Sequence, residues 1–266
     1  MEGPAYVSFS AGRTSGKMLH EVLAAYDGQL PKDLYVLFFN TGKEDARSLD
    51  FVHEVETRWS VPVVWLERLK GGGFRVVTHE TAWRSSSVVE PERPFDALIA
   101  ERGLVPNMVA TYCTTELKHR LGRAYMLSLG YEEWDVAVGL RADEPGRVAR
   151  QRGRKIEGGW VTHPLFDAGV RLADIERFWA TQPFDLRLQP HEGNCDLCFK
   201  KKLSKIRRIM EDDIGRAAWW AEMERRTNTT FRIDRPSYGT LEDGVRRQVR
   251  LNFLPEEEDQ PCLCTE

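Results

Sequence analysis

The chain has 266 residues, of which 41% are hydrophobic and 30% charged, and its formal net charge is −3. This composition is ordinary for a globular enzyme with one large α/β domain and an appendage, and it gives no overall charge for binding nucleic acid or an acidic membrane. No apolar stretch approaches the roughly 20 residues of a membrane span. Residues 1–6 lack the regions of a signal peptide, so we expect a cytoplasmic protein with no membrane partner and reduced cysteines.

Strands and helices alternate along the first quarter of the chain. The predicted elements, in order, are strand Tyr6–Phe9, helix Met18–Tyr26, strand Leu34–Phe39, helix Ala46–Trp59 and strand Val63–Leu66. The second strand is apolar at consecutive positions, which is typical of a parallel strand covered on both faces. The βαβαβ order therefore predicts a Rossmann-like parallel sheet with helices on both faces.

The remainder of the chain is mainly helical by its periodicity. The predicted elements are helices Pro94–Arg102 and Thr115–Leu129, strand Trp134–Gly139, a long polar loop Leu140–Gly159, and helices Arg171–Thr181, Lys200–Glu211 and, as the last, Gly215–Arg226. We predict a nucleotide-binding α/β domain over residues 1–185. A helical, cysteine-bearing extension is predicted over residues 186–266.

A serine- and glycine-rich turn, Ser10–Ser15, joins the first strand to the first helix, with Ser8 just before it. A helix N-terminus presents unpaired N–H groups and partial positive charge, and small residues let a phosphate approach them. The turn matches neither G-x-x-x-x-G-K-[ST] nor G-x-G-x-x-G. Two interpretations stay open, a phosphate-binding loop and a turn that only caps the helix.

Five segments in chain order resemble one family. They are Ser10–Ser15, Phe39–Gly42, Cys113–Lys118, Gly139–Glu144, and His163–Leu165 followed by Asp174–Trp179. In this order the segments are similar to the PP-loop, or adenine-nucleotide α-hydrolase-like, superfamily, and to its phosphoadenosine phosphosulfate (PAPS) reductase branch. The resemblance implies the HUP-type α/β fold and an adenine nucleotide such as ATP or PAPS in the site.

Two residues of the turn depart from the family pattern. Ala11 replaces the first glycine of S-G-G, a change that the turn tolerates if φ is negative there. Thr14 replaces the aspartate of the ATP pyrophosphatases, which puts cleavage between the α and β phosphates in doubt but leaves phosphate or sulfate binding intact. Ser10, Thr14 and Ser15 would supply hydroxyl groups and Arg13 a positive charge.

The resemblance also implies the residues that would surround the nucleotide. The candidate nucleotide-binding residues are Ser8, Ser10, Ala11, Gly12, Arg13, Thr14, Ser15, Phe39, Asn40, Thr41, Gly42, Gly139 and Arg141. Arg141 can grip a phosphate or sulfate bidentately, and Lys118 can face the same anion. Arg141, Arg147, Arg150 and Arg152 have a second interpretation, as solvated side chains of a mobile loop.

Cys195 and Cys198 form a C-x-x-C motif, whose two thiolates can hold one metal. A disulfide-exchange pair and a zinc site completed by Cys113 with His119 or His191 are alternatives that the spacing leaves open. Resemblance to the cluster-bearing sulfonucleotide reductases implies a [4Fe–4S] cluster on Cys113, Cys195 and Cys198. Its fourth ligand would be Cys264 or Cys262, or the fourth iron would stay open.

Three functions follow from these patterns. The first is a PAPS reductase-like oxidoreductase of sulfur metabolism, in which Cys262 or Cys264 attacks sulfur, Arg141 and Lys118 assist, and a thioredoxin-like protein supplies electrons. The second is an ATP-pyrophosphatase-type sulfurtransferase acting on nucleic acid. The third is a non-catalytic nucleotide-binding module with structural zinc. We also expect a homo-oligomer.

Overall fold

A mostly parallel sheet forms the centre of the computed structural model, which describes residues 3–247. Its seven strands lie in the order β4-β3-β2-β1-β5-β7-β6. The strands are β1 (Ala5–Ser8), β2 (Leu34–Phe39), β3 (Val63–Arg68), β4 (Phe74–Val77), β5 (Trp134–Ala137), β6 (Lys155–Ile156) and β7 (Gly159–Thr162). Only the two edge strands, β4 and β6, pair antiparallel with their neighbours. The predicted α/β class with a Rossmann-like sheet is confirmed.

Helices cover both faces of this sheet and build the C-terminal part. They are α1 (Arg13–Ala25), α2 (Ala46–Arg58), α3 (Pro94–Arg102), α4 (Tyr112–Thr114), α5 (Arg120–Ser128), α6 (Pro145–Gln151), α7 (Pro164–Asp167), α8 (Leu172–Ala180), α9 (Leu203–Asp212), α10 (Ala217–Thr227) and α11 (Tyr238–Arg246). A π-helical segment, Thr115–His119, joins α4 to α5. Within residues 3–247, no helix combines the length and apolarity needed to cross a bilayer.

The strand order changes direction at β1: β2, β3 and β4 follow on one side of it, and β5, β7 and β6 on the other. β2 pairs with one side of β1 and β5 with the other, both in parallel register. The carboxyl ends of these three strands therefore lie at one edge of the sheet. Open α/β sheets bind ligands in the crevice where the strand order changes direction. Here that crevice lies between the loops that follow β1 and β5, which lead to opposite sides of the sheet.

Three apolar cores hold the elements together. One lies on the sheet face covered by α1, α2 and α8, and it contains Phe51 and Trp179. A second lies on the opposite face against α5, around Tyr6 and Phe39. The third joins the C-terminal helices to α3, and it contains Trp220. The helices that were predicted to form a separate extension thus share a core with α3.

Three parts of the structure differ from the predicted elements. Gly71–Gly73 is the turn of a β3–β4 hairpin, so the sheet gains an antiparallel strand there. The predicted polar loop Leu140–Gly159 was wrong, because it contains α6, β6 and the first residue of β7. α11 follows the helix that was predicted to be the last. The strands among these differences, β4, β6 and β7, are short and lie near a sheet edge, where the hydrophobic alternation that marks a strand is weak.

Candidate functional site

The turn Ser10–Ser15 wraps around a single hydroxyl. The Oγ of Ser15 lies 3.2 Å from the amide of Ser10, 3.1 Å from the hydroxyl of Ser10 and 3.3 Å from the amide of Gly12, all three of which donate to it. It donates in turn to the carbonyl of Gly12 at 3.0 Å. α1 begins at the next residue after Gly12, so the turn presents the N-terminus of a helix at the carboxyl end of the central strand.

Ala11 lies in the left-handed region of the backbone, with φ of 61°. The condition under which the turn would tolerate alanine without strain, a negative φ, is therefore not met. The turn changes direction here, and the methyl group of Ala11 is fully buried in the core below. A non-glycine residue in this conformation costs about 1 kcal/mol relative to glycine.

Arg13 is bound to the segment before the C-terminal extension. Its guanidinium donates to both oxygens of Asp185, at 2.8 and 2.7 Å, and to the carbonyl of Leu186 at 3.0 Å. These hydrogen bonds with Asp185 raise the pKa of Arg13 above its ordinary value. Arg13 therefore fixes the turn against the segment that carries Asp185.

The loop after β5 meets the loop after β1. The Nη1 of Arg141 donates to the hydroxyl of Thr14 at 3.3 Å, while its Nε is 3.0 Å from Asp143. Gly139 allows this approach, because a Cβ added there would lie only 3.3 Å from the Cα of Ser15. The Nη2 of Arg141 also lies 3.5 Å from Glu144, so two carboxylates partly balance the charge that Arg141 brings to Thr14.

An open cleft of about 690 Å³, including its solvent-filled mouth, begins at this edge and runs along the sheet face under the π-helical segment. It is lined by Tyr6, Ser8, Phe9, Ser10, Phe39, Thr114, Lys118, His119, Val136, Val138, Gln151, Ile156 and Val161. The lining combines an apolar wall with a few polar groups, as the linings of small-molecule sites do. Ser8, Ser10, Phe39 and Lys118 were all predicted to bind the nucleotide, and the structure brings them together.

Asn40, Thr41 and Gly42 do not line the cleft. The amide of Asn40 donates to Glu67 at 2.6 Å and to the carbonyl of Trp83 at 2.8 Å, and its oxygen accepts from Gly42 at 3.0 Å. The hydroxyl of Thr41 donates to Glu44 at 2.7 Å. These side chains fix the end of β2. Their role in holding adenosine stays a prediction.

Glu44 is a buried carboxyl group between the cleft and the cysteines. Burial raises the pKa of Glu44, although the positive charge of Lys118 and the hydrogen bonds from Thr41 act in the opposite direction. Its backbone forms an antiparallel bridge with Cys195. Glu44 therefore contacts the C-x-x-C segment through its backbone, and its carboxyl group interacts electrostatically with Lys118, which lines the cleft.

Asn194 joins the C-x-x-C segment to the turn Ser10–Ser15. The side-chain amide of Asn194 donates to the main-chain carbonyl of Ser10. The main-chain carbonyl of Asn194 accepts a hydrogen bond from the backbone N–H of Asp45 at 2.7 Å. The amide of Asp196 donates to the carbonyl of Lys43 at 3.0 Å. The turn that carries the two thiols is thus hydrogen-bonded to the segment after β2. Through Asn194 it is also hydrogen-bonded to the turn after β1.

Cys195 and Cys198 are half-buried and interact directly. The hydrogen bond from Cys195, together with the charges of Lys201 and Lys200, lowers the pKa of Cys198 to about 6 against the opposing effect of burial. The same hydrogen bond and burial raise the pKa of Cys195. At neutral pH the pair therefore holds one thiolate and one thiol, which is the arrangement of a reactive dithiol.

A buried ion pair supports the turn between the two thiols. Lys43 lies 3.4 Å from Asp196, which also accepts hydrogen bonds from Ser85 at 2.6 Å and from the indole of Trp220 at 2.8 Å. Burial lowers the pKa of Lys43. For Asp196, burial opposes ionisation, but Lys43 and the Ser85 hydroxyl outweigh it and lower the pKa. Removing one partner of such a pair leaves an uncompensated buried charge.

The third predicted metal ligand, Cys113, lies in α4 and packs on the same core as Cys195 and Cys198. Within the described residues, however, no three His, Cys, Asp or Glu side chains are grouped closely enough to hold a metal ion. His191, one candidate for a zinc site, is 2.8 Å from Asp212 instead. Cys262 and Cys264 lie outside the described residues. The thiols as placed supply two ligands rather than a complete set, so the [4Fe–4S] or zinc centre stays a prediction.

Sequence reasoning did not identify three residues of this region. Asn194 was given no role, Glu44 was not considered, and Gln151 was placed in the predicted loop Leu140–Gly159. The position of Asn194 directly before a C-x-x-C was the one available signal. Glu44 and Gln151 gain their roles from packing between elements distant in sequence, which no local pattern contains.

No family model matches the chain. It is 29% identical over 213 residues to the uncharacterized nin region protein ORF290 of Escherichia phage lambda, covering 79% of this chain and 70% of that protein. It is 23% identical to an uncharacterized 37.8 kDa protein in the gpa 5′ region of Escherichia phage 186, covering 95% and 84%. Among solved structures, it resembles the U34-tRNA thiolase NcsA from Methanococcus maripaludis with its [4Fe-4S] cluster, with 13% identity, a TM-score of 0.44, and coverage of 94% and 74%.

Proposed function

We propose that the chain is an adenine-nucleotide-dependent sulfurtransferase. The observation that carries this proposal is the hydrogen bond from Asn194 to Ser10, because it joins a dithiol turn to a phosphate-loop candidate. A reactive thiol pair and an anion-binding helix N-terminus are the two parts that activation by a nucleotide followed by sulfur transfer requires.

The nucleotide's phosphates would lie on the turn Ser10–Ser15, at the N-terminus of α1. Arg141 reaches this turn from the loop after β5, and Lys118 enters the cleft from the π-helical segment. Two cations and a helix N-terminus would stabilise the charge that develops on a phosphate during displacement. The apolar wall around Phe39 and Val138 would cover the base and ribose.

The reaction would have three steps. An oxygen of the acceptor attacks the α-phosphorus of ATP, the bond to the bridging oxygen breaks, and pyrophosphate leaves. The terminal sulfur of a persulfide on Cys198, loaded by a persulfide donor protein, then attacks the activated carbon and AMP leaves. Finally the Cys195 thiolate attacks the Sγ of Cys198, which releases the thiolated product and forms a disulfide. A dithiol reductant of the thioredoxin class returns the pair to its reduced state.

A sulfonucleotide reductase of the PAPS type is the second candidate, and the same thiol pair favours it. In this case the Cys198 thiolate attacks the sulfur of PAPS, and adenosine 3′,5′-bisphosphate leaves. Cys195 then attacks the Sγ of Cys198, so that sulfite leaves and a disulfide forms. Arg141 would suit a sulfate as well as a phosphate, because both are tetrahedral oxyanions. This route differs from the tail-cysteine mechanism predicted from the sequence.

Parallel assays separate the two candidates. ATP with a persulfide donor and an acceptor is expected to give pyrophosphate and AMP, whereas PAPS with thioredoxin would give sulfite and adenosine bisphosphate. Cys198→Ser should abolish sulfur transfer in the first assay and sulfite release in the second, and it should leave pyrophosphate release from ATP nearly unchanged. Failure of the wild-type protein to bind either nucleotide would remove both candidates.

A further inference from the structure

The wall of the cleft that carries α6 and β6 is strongly basic. Residues 147–155 read Arg-Val-Ala-Arg-Gln-Arg-Gly-Arg-Lys, with five cationic side chains and no carboxylate. Gln151 and Ile156, within and directly after this run, line the cleft itself. The run therefore places five cationic side chains beside the proposed nucleotide site.

Three of the five cations are paired with carboxylates. Arg147 pairs with Glu144, Arg152 with Asp167, and Lys155 with Glu133. Arg150 and Arg154 are exposed, and within residues 3–247 neither has a carboxylate within salt-bridge distance. Exposed guanidinium groups without a carboxylate partner retain their full charge for a ligand.

The opposite wall of the cleft supplies a third such arginine. Arg123 lies one helical turn after His119, which lines the cleft, and it too is exposed with no carboxylate partner in the described part of the chain. The two walls are close, because Arg120 lies 3.5 Å from Glu157 in the turn between β6 and β7. We call Arg123, Arg150 and Arg154 the basic rim.

An exposed aromatic side chain accompanies the basic rim. Trp160 is 43% exposed and lies with the ammonium of Lys155 5.6 Å from its ring centroid. It is on the outward face of the β6–β7 hairpin, whose inward face carries Ile156 and Val161. Since β6 is the edge strand, a chain-like ligand can pass from the rim over this edge to the indole.

From these features we infer that the acceptor of the proposed sulfurtransferase is a single-stranded segment of nucleic acid, held by its phosphates on the basic rim and by a base on Trp160. Arginine forks match phosphate oxygens, and exposed aromatic rings stack unpaired bases. A small acceptor would need neither feature. The inference rests on the proposed function, since it names the substrate class for the same cleft.

Binding of fluorescent 20-nucleotide single-stranded RNA and DNA to the full chain tests this inference. We expect Arg150→Glu/Arg154→Glu to weaken binding at least tenfold at about 100 mM salt. It should also reduce the slope of log K against log salt by about 1.4, given roughly 0.7 for each phosphate contact on a single strand. Trp160→Ala should weaken binding about fivefold or more without changing that slope, because stacking is worth about 1–3 kcal/mol.

The control is Lys32→Glu/Arg177→Glu, which makes the same change in charge away from the cleft. Lys32 precedes β2, and Arg177 lies on α8, which covers the other face of the sheet. Equal affinity of rim and control variants, or competition by polyglutamate as strong as by nucleic acid, would overturn the inference. Titration of the same variants with ATP keeps the two proposals separate: loss of ATP binding in the wild type refutes the proposed function, whereas rim variants should bind ATP normally.

Discussion

The side-chain amide of Asn194 donates a hydrogen bond to the main-chain carbonyl of Ser10, across 184 positions of sequence. Ser10 opens the phosphate-loop candidate, and Asn194 immediately precedes the first cysteine of the C-x-x-C. Through this contact, the element that would hold the nucleotide and the element that would carry sulfur have a fixed relative position. A 1 Å error between reacting groups is enough to slow an enzyme greatly, so the contact has a direct consequence for transfer.

Replacing Asn194 by alanine should separate these two elements. We expect the free energy of unfolding to fall by about 1–2 kcal/mol, because the carbonyl of Ser10 loses its partner in a half-buried place. Sulfur transfer should slow at least tenfold while pyrophosphate release changes little. Urea denaturation and the two rate assays measure these effects.

Asn107→Ala is the matched control for this change. The Oδ1 of Asn107 accepts two backbone hydrogen bonds at 2.9 Å in a turn far along the chain from both elements. Its loss should also lower stability but leave sulfur transfer unaffected. Equal transfer rates in the two variants would show that the Asn194 contact has only a structural role.

Arg141 is expected to bind the phosphate or sulfate. Arg141→Ala should weaken ATP or PAPS binding by roughly 10- to 100-fold, since a hydrogen bond to a charged group contributes about 1.5–3 kcal/mol. Arg141→Lys should recover only part of the loss, because an ammonium cannot make two parallel hydrogen bonds. Calorimetric titration measures both constants, and Arg177→Ala serves as the control. Unchanged nucleotide affinity in Arg141→Ala would contradict the site.

Gly139 allows the two loops at the switch point to approach each other. In Gly139→Ala the new Cβ would lie 3.3 Å from the Cα of Ser15, which is main chain and cannot turn aside. We expect a loss of about 1–3 kcal/mol in stability and about tenfold weaker nucleotide binding. Gly146→Ala, where a Cβ would meet nothing within 4 Å, should bind the nucleotide like the wild type. Similar behaviour of the two variants would refute the close approach.

The reactivity of Cys198 should follow its lowered pKa of about 6. Because the thiolate is the nucleophile, alkylation of Cys198 by iodoacetamide in the metal-free protein should rise with pH through a midpoint near 6. An ordinary cysteine shows a midpoint near about 8.5. Cys195→Ala removes the hydrogen bond that favours the thiolate, so the midpoint should move upward. Peptide mass spectrometry at a series of pH values gives the midpoint, and a wild-type value near 8.5 would contradict the prediction.

The amino-acid sequence determined the parts of this protein that depend on local pattern. Consecutive apolar residues in Leu34–Phe39 predicted a buried parallel strand, and that strand is observed with the same bounds. The small residues of Ser10–Ser15, placed between strand and helix, predicted a turn at a helix N-terminus, which the structure also shows. Such features are local because backbone conformation and burial of one element are set by neighbouring side chains.

Only the tertiary structure decided which of the candidate residues meet. Arg13 and Arg141 are equally basic in sequence. The first binds the distant Asp185, whereas the second pairs with its neighbours Asp143 and Glu144 and reaches Thr14. The C-x-x-C segment is held at the turn Ser10–Ser15 because the side-chain amide of Asn194 donates a hydrogen bond to the carbonyl of Ser10. These outcomes depend on which chain segments pack together, and packing sums many weak contacts between residues that are far apart in sequence, so no motif or spacing encodes them.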